Sequence, residues 1–232
     1  LSKTNGGYHY GGCFSAVEIL TVLYDYILKE EDRFVLSKGH ACWPLYVLLR
    51  EKGLRPKLEG HPYRDPENGI YCTTGSEGHG LPMGIGMALA KKLRDEKGKI
   101  FVLMGDGECQ EGTTWESLLI AAKYKLNNLC VIVDWNKCQG SGFVRDILPL
   151  ARLDQIVALA GWMVCHTDGH DTNKLISMFT YLKTHSEKNE IPQWLFAYTV
   201  KGKGVSFMEN RPEWHARGLN NEQEEQSLLE LS

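Results

Sequence analysis

The sequence predicts an α/β fold: a doubly wound, mostly parallel sheet with helices on both of its faces. Two observations carry this prediction. From about residue 99 onward, short apolar runs alternate with longer segments of helical periodicity, and glycine-bearing loops separate them. The length of 232 residues, with 43% hydrophobic residues, is enough to bury the core of a single domain that spans residues 1–232.

Each predicted element follows from its local pattern. Before residue 99, three segments place apolar residues at helical spacing: 16–26, 45–51 and 81–94, the last with small residues on one face. Beyond it, strands are predicted at 99–104, 129–134, 163–166 and 194–200, where short apolar runs are typical of buried strands. Helices are predicted between them at 115–126, 153–160 and 172–184. The acidic end, 221–232, is predicted to form a solvated amphipathic helix.

Composition excludes several classes of protein. The net charge is −3, which provides no wide basic field for nucleic acid. We find no run of about twenty apolar residues that would span a bilayer, and no charged-then-apolar leader. The seven cysteines are scattered singly, a distribution that predicts neither a zinc ribbon nor a disulfide framework. A cytoplasmic protein without membrane or nucleic-acid partners is therefore expected.

Polar residues follow two neighbouring predicted strands at positions that suit a metal ion. A GDG triplet at 105–107 comes directly after one strand, and Asn136, in VDWNKC, lies at the end of the next. Since the carboxyl ends of adjacent parallel strands form one crevice, Asp106 and Asn136 can point at one ion. Their oxygens suit Mg²⁺ or Ca²⁺ and leave coordination places for phosphate. The alternative for a lone GDG is a strand-to-helix turn that Asp106 caps.

GDG followed by this asparagine resembles the thiamine diphosphate motif, and nearly all of the chain resembles the N-terminal, diphosphate-binding domain of transketolases. The resemblance implies that Asp106, Asn136 and the backbone carbonyl of Cys138 bind the metal ion. It also implies that thiamine diphosphate is contacted by His40, Gly75, Ser76, Glu77, Gly105, Asp106, Gly107, Glu108, Asn136 and His215. The loop TTGSEGHG resembles TTGPLGQG of the family, but Glu77 replaces an apolar residue and His79 replaces a glutamine.

Four of the eight histidines lie in or beside glycine-bearing loops that resemble transketolase segments. They are His9 in NGGYHYGGCFS, His40 in RFVLSKGHACWPLY, His61 in EGHPY and His215 in KGKGVSFMENRPEWH. The resemblance places these four around the thiazolium and the diphosphate as catalytic residues, where they bind sugar hydroxyls and assist proton transfer. Imidazole suits both tasks because it can donate or accept a hydrogen bond near neutral pH.

Other charged residues have a less specific signal. Glu111 and Glu116, on the helix after GDG, match positions where the family carries acidic residues that link the two active sites of its dimer, and they join the catalytic set. Acidic residues are also favourable at a helix start for purely structural reasons. Lys201 and Lys203, in KGKG, are equally compatible with contacting a ligand and with forming a strand-exit loop.

One catalytic group of the resembling family is missing from the chain. Transketolases hold the aminopyrimidine ring with a glutamate on a second, pyrimidine-binding domain, and the chain ends at Ser232, too soon after His215 for a further domain of about 100 residues. The resemblance therefore implies a split transketolase, in which a C-terminal subunit supplies that glutamate and an α2β2 heterotetramer forms the sites. It would transfer a two-carbon ketol unit from a ketose or sugar phosphate to an acceptor.

Three alternatives stay open at this point. A deoxyxylulose-phosphate-synthase-like enzyme shares SKGHA, but KGKGVSFMEN with Trp214 and His215 favours the transketolase side. The α subunit of a 2-oxo acid dehydrogenase is disfavoured by the loops of His9 and His40. A catalytically silent scaffold or regulatory subunit of the same fold would have no chemical reason to keep Asp106 and the four histidines.

Overall fold

The computed structural model describes residues 9–186 and 188–232, and the backbone of residue 187. Residues 1–8, which include the start of the NGGYHYGGCFS segment, lie outside the described residues. The strands are β1 (Arg33–Leu36), β2 (Ile100–Gly105), β3 (Leu129–Trp135), β4 (Cys138–Gln139), β5 (Gly142–Phe143), β6 (Met163–Asp168) and β7 (Gln193–Tyr198). The α-helices are α1 (Tyr10–Phe14), α2 (Val17–Val22), α3 (Cys42–Glu51), α4 (Gly80–Leu93), α5 (Gly112–Lys123), α6 (Val144–Ile147), α7 (Leu153–Leu159), α8 (Thr172–Asn189) and α9 (Asn221–Glu230).

Five strands form one sheet in the order β1-β2-β3-β7-β6, and every neighbouring pair is parallel. The strands β4 and β5 form a separate antiparallel hairpin directly after β3. The register places Gly105 at the end of β2 opposite Asp134 near the end of β3. The segments that follow these two strands therefore leave the sheet side by side, as the sequence predicts for Asp106 and Asn136.

The core consists of two apolar layers, one on each face of the sheet. Alternate residues of β2 enter different layers, because side chains of a strand point to opposite faces in turn. Phe101 and Leu103 pack in the layer that contains α2, α3 and α8, whereas Val102 and Met104 pack in the layer of α4, α5 and α7. Helices on both faces of a parallel sheet confirm the predicted fold class.

The small residues predicted on one face of the helix at 81–94 have a packing role. Gly84 of α4 lies so close to the sheet that an added Cβ would be 2.5 Å from Cγ2 of Val102. A helix can pack this closely only where its contact residue has no side chain. The position of α4 in turn sets the position of the loop that precedes it, residues 73–79.

The structure differs from the prediction in three elements. The edge strand β1 was not predicted, because its run RFVL is only four residues long and begins with a charge. The predicted helix at 16–26 is α2 followed by a π-helical turn at Leu23–Ile27. Most other bounds move by one to three residues, and α8 continues to Asn189 instead of ending at 184. Among the described residues, no helix is long and apolar enough to cross a membrane.

Candidate active site

The candidate site lies at the carboxyl ends of the strands, where the loops that follow β1, β2, β3 and β7 converge. Such an edge is where an open parallel sheet offers its ligand crevice. A turn at Gly39–Ala41 follows β1 and a turn at Gly107–Gln110 follows β2. The β4–β5 hairpin follows β3, and the KGKG segment follows β7. All of the predicted site residues lie on these loops or on the segments packed against them.

Four imidazoles from distant parts of the sequence form one cluster in the crevice. The ring centroid of His9 lies 5.4 Å from that of His40, 5.7 Å from that of His61 and 5.4 Å from that of His215. The rings of His40 and His215 are 4.8 Å apart. The structure thus brings together all four of the histidines that the sequence singles out.

The environment of this cluster favours neutral imidazoles. Burial lowers the pKa of His9 to about 4, with smaller contributions from His61 and Lys201. Burial and then Lys201 lower the pKa of His215 to about 3. The pKa of His40 is well below its usual range, chiefly because of burial and then because of Lys38. A neutral imidazole has one donor and one acceptor nitrogen, so the cluster can hydrogen-bond hydroxyl groups and can accept a proton.

Asp106 and the turn after β3 meet as the spacing predicts. Asp106 is buried, its Oδ1 accepts a hydrogen bond from the Gly107 amide at 2.9 Å, and its Oδ2 accepts one from the Lys137 amide. The Oδ1 of Asn136 accepts from the Cys138 amide at 3.0 Å. Asp106 therefore also has the capping role that was the alternative interpretation of GDG. Burial and the nearby Asp134 raise the pKa of Asp106 to about 7.

A buried ion pair underlies this crevice, and the sequence did not reveal it. Lys38 and Asp134 are 1% and 0% exposed and form a salt bridge. The Lys38 ammonium also donates to the Gly12 carbonyl at 3.0 Å. Asp134 accepts from Ser15 at 2.5 Å and from the hydroxyl of Thr199. The pair therefore ties together β3, the turn after β1 and the segments of Ser15 and Thr199.

A second buried cation, Lys201, lies close by. It is 1% exposed, and an added Cβ on Gly11 would lie 3.0 Å from its Cγ. Its pKa is lowered, first by burial and then by Lys38, while Asp134 and Asp106 act in the opposite direction. Lysine is rarely buried without a partner or a ligand, so the burial of Lys201 favours the ligand role that its sequence left undecided. By contrast, the side chain of Lys203 is 43% exposed and pairs with Glu209 at 3.4 Å.

Glu108 holds the GDG loop in place. It is fully buried and accepts hydrogen bonds from Ser37 Oγ at 2.5 Å, from the Gly78 amide at 2.9 Å and from the Gly105 amide at 2.7 Å. Its two oxygens thus join the ends of β1 and β2 to the TTGSEGHG loop. The carboxylate of Glu108 is engaged by the protein itself, which places it behind the site.

The TTGSEGHG loop packs directly on the histidine cluster. Gly75 has φ +133, and an added Cβ would lie 2.5 Å from Cδ2 of His61, so only glycine suits this position. Ser76 is exposed, and Oε1 of Glu77 lies 3.6 Å from Nδ1 of His40. The replacement of an apolar residue by Glu77 thus places a carboxyl group beside the imidazoles.

Glu111 and Glu116 lie outside the cluster. Both are exposed, Glu111 as the residue that precedes α5 and Glu116 on α5 itself. Leu119 and Ile120 of the same helix are 67% and 44% exposed. The structure therefore places these two acids at the edge of an exposed, partly apolar helix face.

Comparison with known proteins agrees with this site. The family described as "Transketolase, thiamine diphosphate binding domain" matches residues 1–229. The chain belongs to the transketolase family. Its predicted membership, its fold and its thiamine diphosphate-binding domain are thereby confirmed.

Relatives in the transketolase family include subunits of about the same length as this chain. One of the subunits named for the apulose-4-phosphate transketolase of Actinobacillus succinogenes is 39% identical over 99% of this chain and 90% of its own length. A 6-deoxy-6-sulfo-D-fructose transketolase subunit of Clostridium sp. is 34% identical over 97% of this chain and 88% of its own length. These similarities confirm the prediction of a transketolase-type transferase subunit.

Longer transketolases contain the same fold as one part of their chain. Human transketolase is 33% identical over 97% of this chain, which covers 39% of the human protein. The crystal structure of transketolase from Campylobacter jejuni superposes with a TM-score of 0.79 at 26% identity, over 95% of this chain and 41% of that chain. This chain therefore spans about two fifths of the solved transketolases that it matches.

Proposed function

We propose that this chain is the metal- and diphosphate-binding subunit of a split transketolase, and that it transfers a two-carbon ketol unit only together with a pyrimidine-binding subunit. The observation that carries the proposal is the cluster of His9, His40, His61 and His215, which lies at the carboxyl edge of the sheet near Asp106 and Lys201. A cofactor anion, a metal ion and a polyhydroxylated substrate each find suitable groups there.

The metal ligands that we propose are Asp106, Asn136 and the carbonyl of Cys138, with Mg²⁺ as the ion and Ca²⁺ as the alternative. The donor set fits, since these are oxygen ligands, which Mg²⁺ prefers. Asp106 is buried, and burial together with Asp134 opposes its ionisation. A divalent cation would favour the charged carboxylate in this setting. The hydrogen bond from the Lys137 amide to Asp106 supports the proposal, because it brings the two halves of the donor set together.

The diphosphate would be held by buried cations and backbone groups of the same crevice. Lys201 is a buried ammonium that is not part of the Lys38–Asp134 salt bridge, and it lies close enough to His215 to lower the pKa of that imidazole. A charge-assisted hydrogen bond from an ammonium to a phosphate oxygen is about twice as strong as a neutral one. We therefore add Lys201 to the proposed cofactor-binding residues, beside His40, Gly75, Ser76, Glu77, Gly105, Asp106, Gly107, Asn136 and His215.

Thiamine diphosphate, when bound, supplies the carbon nucleophile and the electron sink of ketol transfer. The chain's own residues would bind and orient the sugar. The neutral imidazoles of His9, His40, His61 and His215 can accept hydrogen bonds from hydroxyls and donate them to a carbonyl oxygen. An imidazole of this kind can also take a proton from a hydroxyl and return it, as general acid–base catalysis requires. Burial of the cluster limits the access of water to these groups.

The partner is proposed to be a C-terminal, pyrimidine-binding subunit in an α2β2 assembly. The word "subunit" in the names of the relatives supports a divided enzyme. Exposed Leu119 and Ile120 on α5 support an intersubunit contact at this helix, with Glu111 and Glu116 at its edge. A role of these two acids in linking the active sites of such an assembly is part of the proposal, as is a cytoplasmic location.

The substrate is proposed to be a ketose that carries a terminal anionic group. Two relatives of similar length are named for apulose-4-phosphate and for 6-deoxy-6-sulfo-D-fructose, both of which carry such a group. The hydroxyls next to the ketose carbonyl match the hydrogen-bonding capacity of the histidine cluster. The anionic end would extend away from this cluster, toward the proposed partner.

The proposal is tested by co-expressing the chain with its C-terminal partner and assaying ketol transfer with thiamine diphosphate and Mg²⁺. A panel of phosphorylated, sulfonated and neutral ketoses serves as donors, and pyruvate serves as the donor of the deoxyxylulose-phosphate-synthase type. Turnover of an anionic ketose in the complex, but not by either protein alone, is the expected result. Turnover by this chain alone would refute the split site, and turnover of pyruvate alone would refute the transketolase reaction.

A further inference from the structure

Three side chains in the crevice have the composition and the spacing of a transition-metal site that is distinct from the proposed Mg²⁺ site. One ligand atom from each of His40, Glu77 and His215 lies within 4.8 Å of the other two. We propose that, in the cofactor-free chain, these three residues bind one divalent ion of the zinc type. This inference concerns Glu77, the residue at which the chain departs from the apolar side chain of the resembling family.

The donor set favours zinc over magnesium. Two imidazole nitrogens and one carboxylate oxygen are the three protein ligands of many open zinc sites, in which water occupies the fourth position. Mg²⁺ prefers oxygen ligands and an octahedral arrangement, which Asp106 and its neighbours match better. The two sites therefore select different ions by the chemistry of their ligands.

The geometry requires only small movements. Tetrahedral zinc with bonds of about 2.0–2.2 Å holds its ligand atoms about 3.4 Å apart. Nδ1 of His40 and Oε1 of Glu77 are already 3.6 Å apart. The side chain of Glu77 is 37% exposed, so it can shift by about 1 Å without disturbing the core. His40 is the fixed member of the set, because only 8% of its side chain is exposed.

A separate observation also indicates a ligand at this point. The Nδ1 atom of His215 is buried and has no hydrogen-bond partner. On the other side of the same ring, a Cβ at Gly140 would lie 3.4 Å from Cδ2, so the hairpin packs there. Buried polar atoms are usually satisfied, and a coordinated ion would satisfy this nitrogen.

The experiment is a metal titration of the purified chain, freed of metal and cofactor. Zn²⁺ is titrated by calorimetry and Co²⁺ by visible absorption, because Co²⁺ reports its ligands by colour. The expected result is one ion per chain, with a cobalt spectrum of nitrogen and oxygen ligands. In Glu77→Gln and in His215→Ala, affinity should fall by more than the roughly 10-fold that loss of an outer-shell partner costs.

Two control variants make the result specific. Glu213→Gln removes an exposed acid two residues from His215, and His166→Ala removes an imidazole outside the cluster. Both should bind Zn²⁺ as the unmodified chain does, and thermal melting checks that all variants fold. Unchanged affinity in Glu77→Gln and His215→Ala would overturn the site, as would an intense sulfur-to-cobalt charge-transfer band, which would assign the ion to a cysteine.

Thiamine diphosphate with Mg²⁺ should displace the zinc, and this step rests on the proposed function. The two proposals fail in different ways. Zinc binding with no cofactor binding, even with the partner present, would refute the proposed function and leave the zinc site. Cofactor binding without zinc binding would refute the zinc site alone. Simultaneous binding of both would contradict the placement of zinc in the cofactor crevice.

Discussion

Replacement of Lys38 by methionine tests the buried ion pair beneath the crevice. Lys38→Met keeps most of the volume of the side chain but leaves Asp134, which is 0% exposed, without its cation. Removal of one partner of a buried pair costs about 3–5 kcal/mol, because the remaining charge stays buried and uncompensated. For a domain of this size, that loss lowers the melting temperature by about 6–20 °C.

The pH dependence of this loss has a definite sign. Burial acts to raise the pKa of Asp134, but Lys38 and the hydroxyls of Ser15 and Thr199 outweigh it and hold the pKa below its usual range. In the unmodified chain, this stabilisation is present above a pH of about 4 and is lost as the pH falls through the lowered pKa. Without Lys38, burial dominates and the pKa rises above its unfolded value. The variant then loses stability as the pH rises, so the gap between the two proteins narrows from pH 7 to pH 5.

The assay is thermal and urea unfolding of both proteins at pH 5 and pH 7. Lys52→Met is the matched control, because Lys52 and Asp25 form an exposed pair at 3.2 Å, and such pairs contribute about 0–1 kcal/mol. The double variant Lys38→Met/Asp134→Asn, which removes the charge and keeps hydrogen-bond acceptance, should regain part of the loss. A Lys38→Met loss no larger than that of Lys52→Met, or one that does not change with pH, would refute the reasoning.

Three further substitutions test the loops around the site. Asp106→Asn should weaken Mg²⁺-dependent binding of thiamine diphosphate by more than about 100-fold, because it removes a charged ligand itself; unchanged affinity in calorimetry of the assembled enzyme would contradict the metal assignment. Gly75→Ala should cost about 1–3 kcal/mol for its backbone conformation and should lower turnover by displacing His61, measured by melting and by kcat; normal turnover would show that this contact is not needed. Glu108→Ala should cost about 3 kcal/mol in urea unfolding, because three buried donors lose their acceptor, whereas loss of cofactor affinity with unchanged stability would favour a direct cofactor contact.

The sequence predicted the central strands and the polar residues that follow them. The runs KIFVLM and LCVIVD are apolar throughout, which occurs where both faces of a strand are covered, and the structure confirms β2 and β3 there. The adjacency of Asp106 to the turn at Asn136 follows from that pairing. The end of α8 was predicted too early, because no glycine or proline follows residue 184 closely; the helix ends where Glu190 takes a left-handed conformation, with φ 51.

The sequence by itself determined the fold class, the family and the identity of the site residues, since these depend on apolar periodicity and on short motifs of recognisable chemistry. Only the tertiary structure decided which charges are buried. Lys38 and Lys201 resemble ordinary surface lysines in the sequence, yet both are 1% exposed. Burial depends on what packs around a side chain from distant segments, such as Gly12 and Asp134 around Lys38. For the same reason, only the folded chain shows that Glu77 lies beside His40, and that Glu108 binds the protein's own backbone.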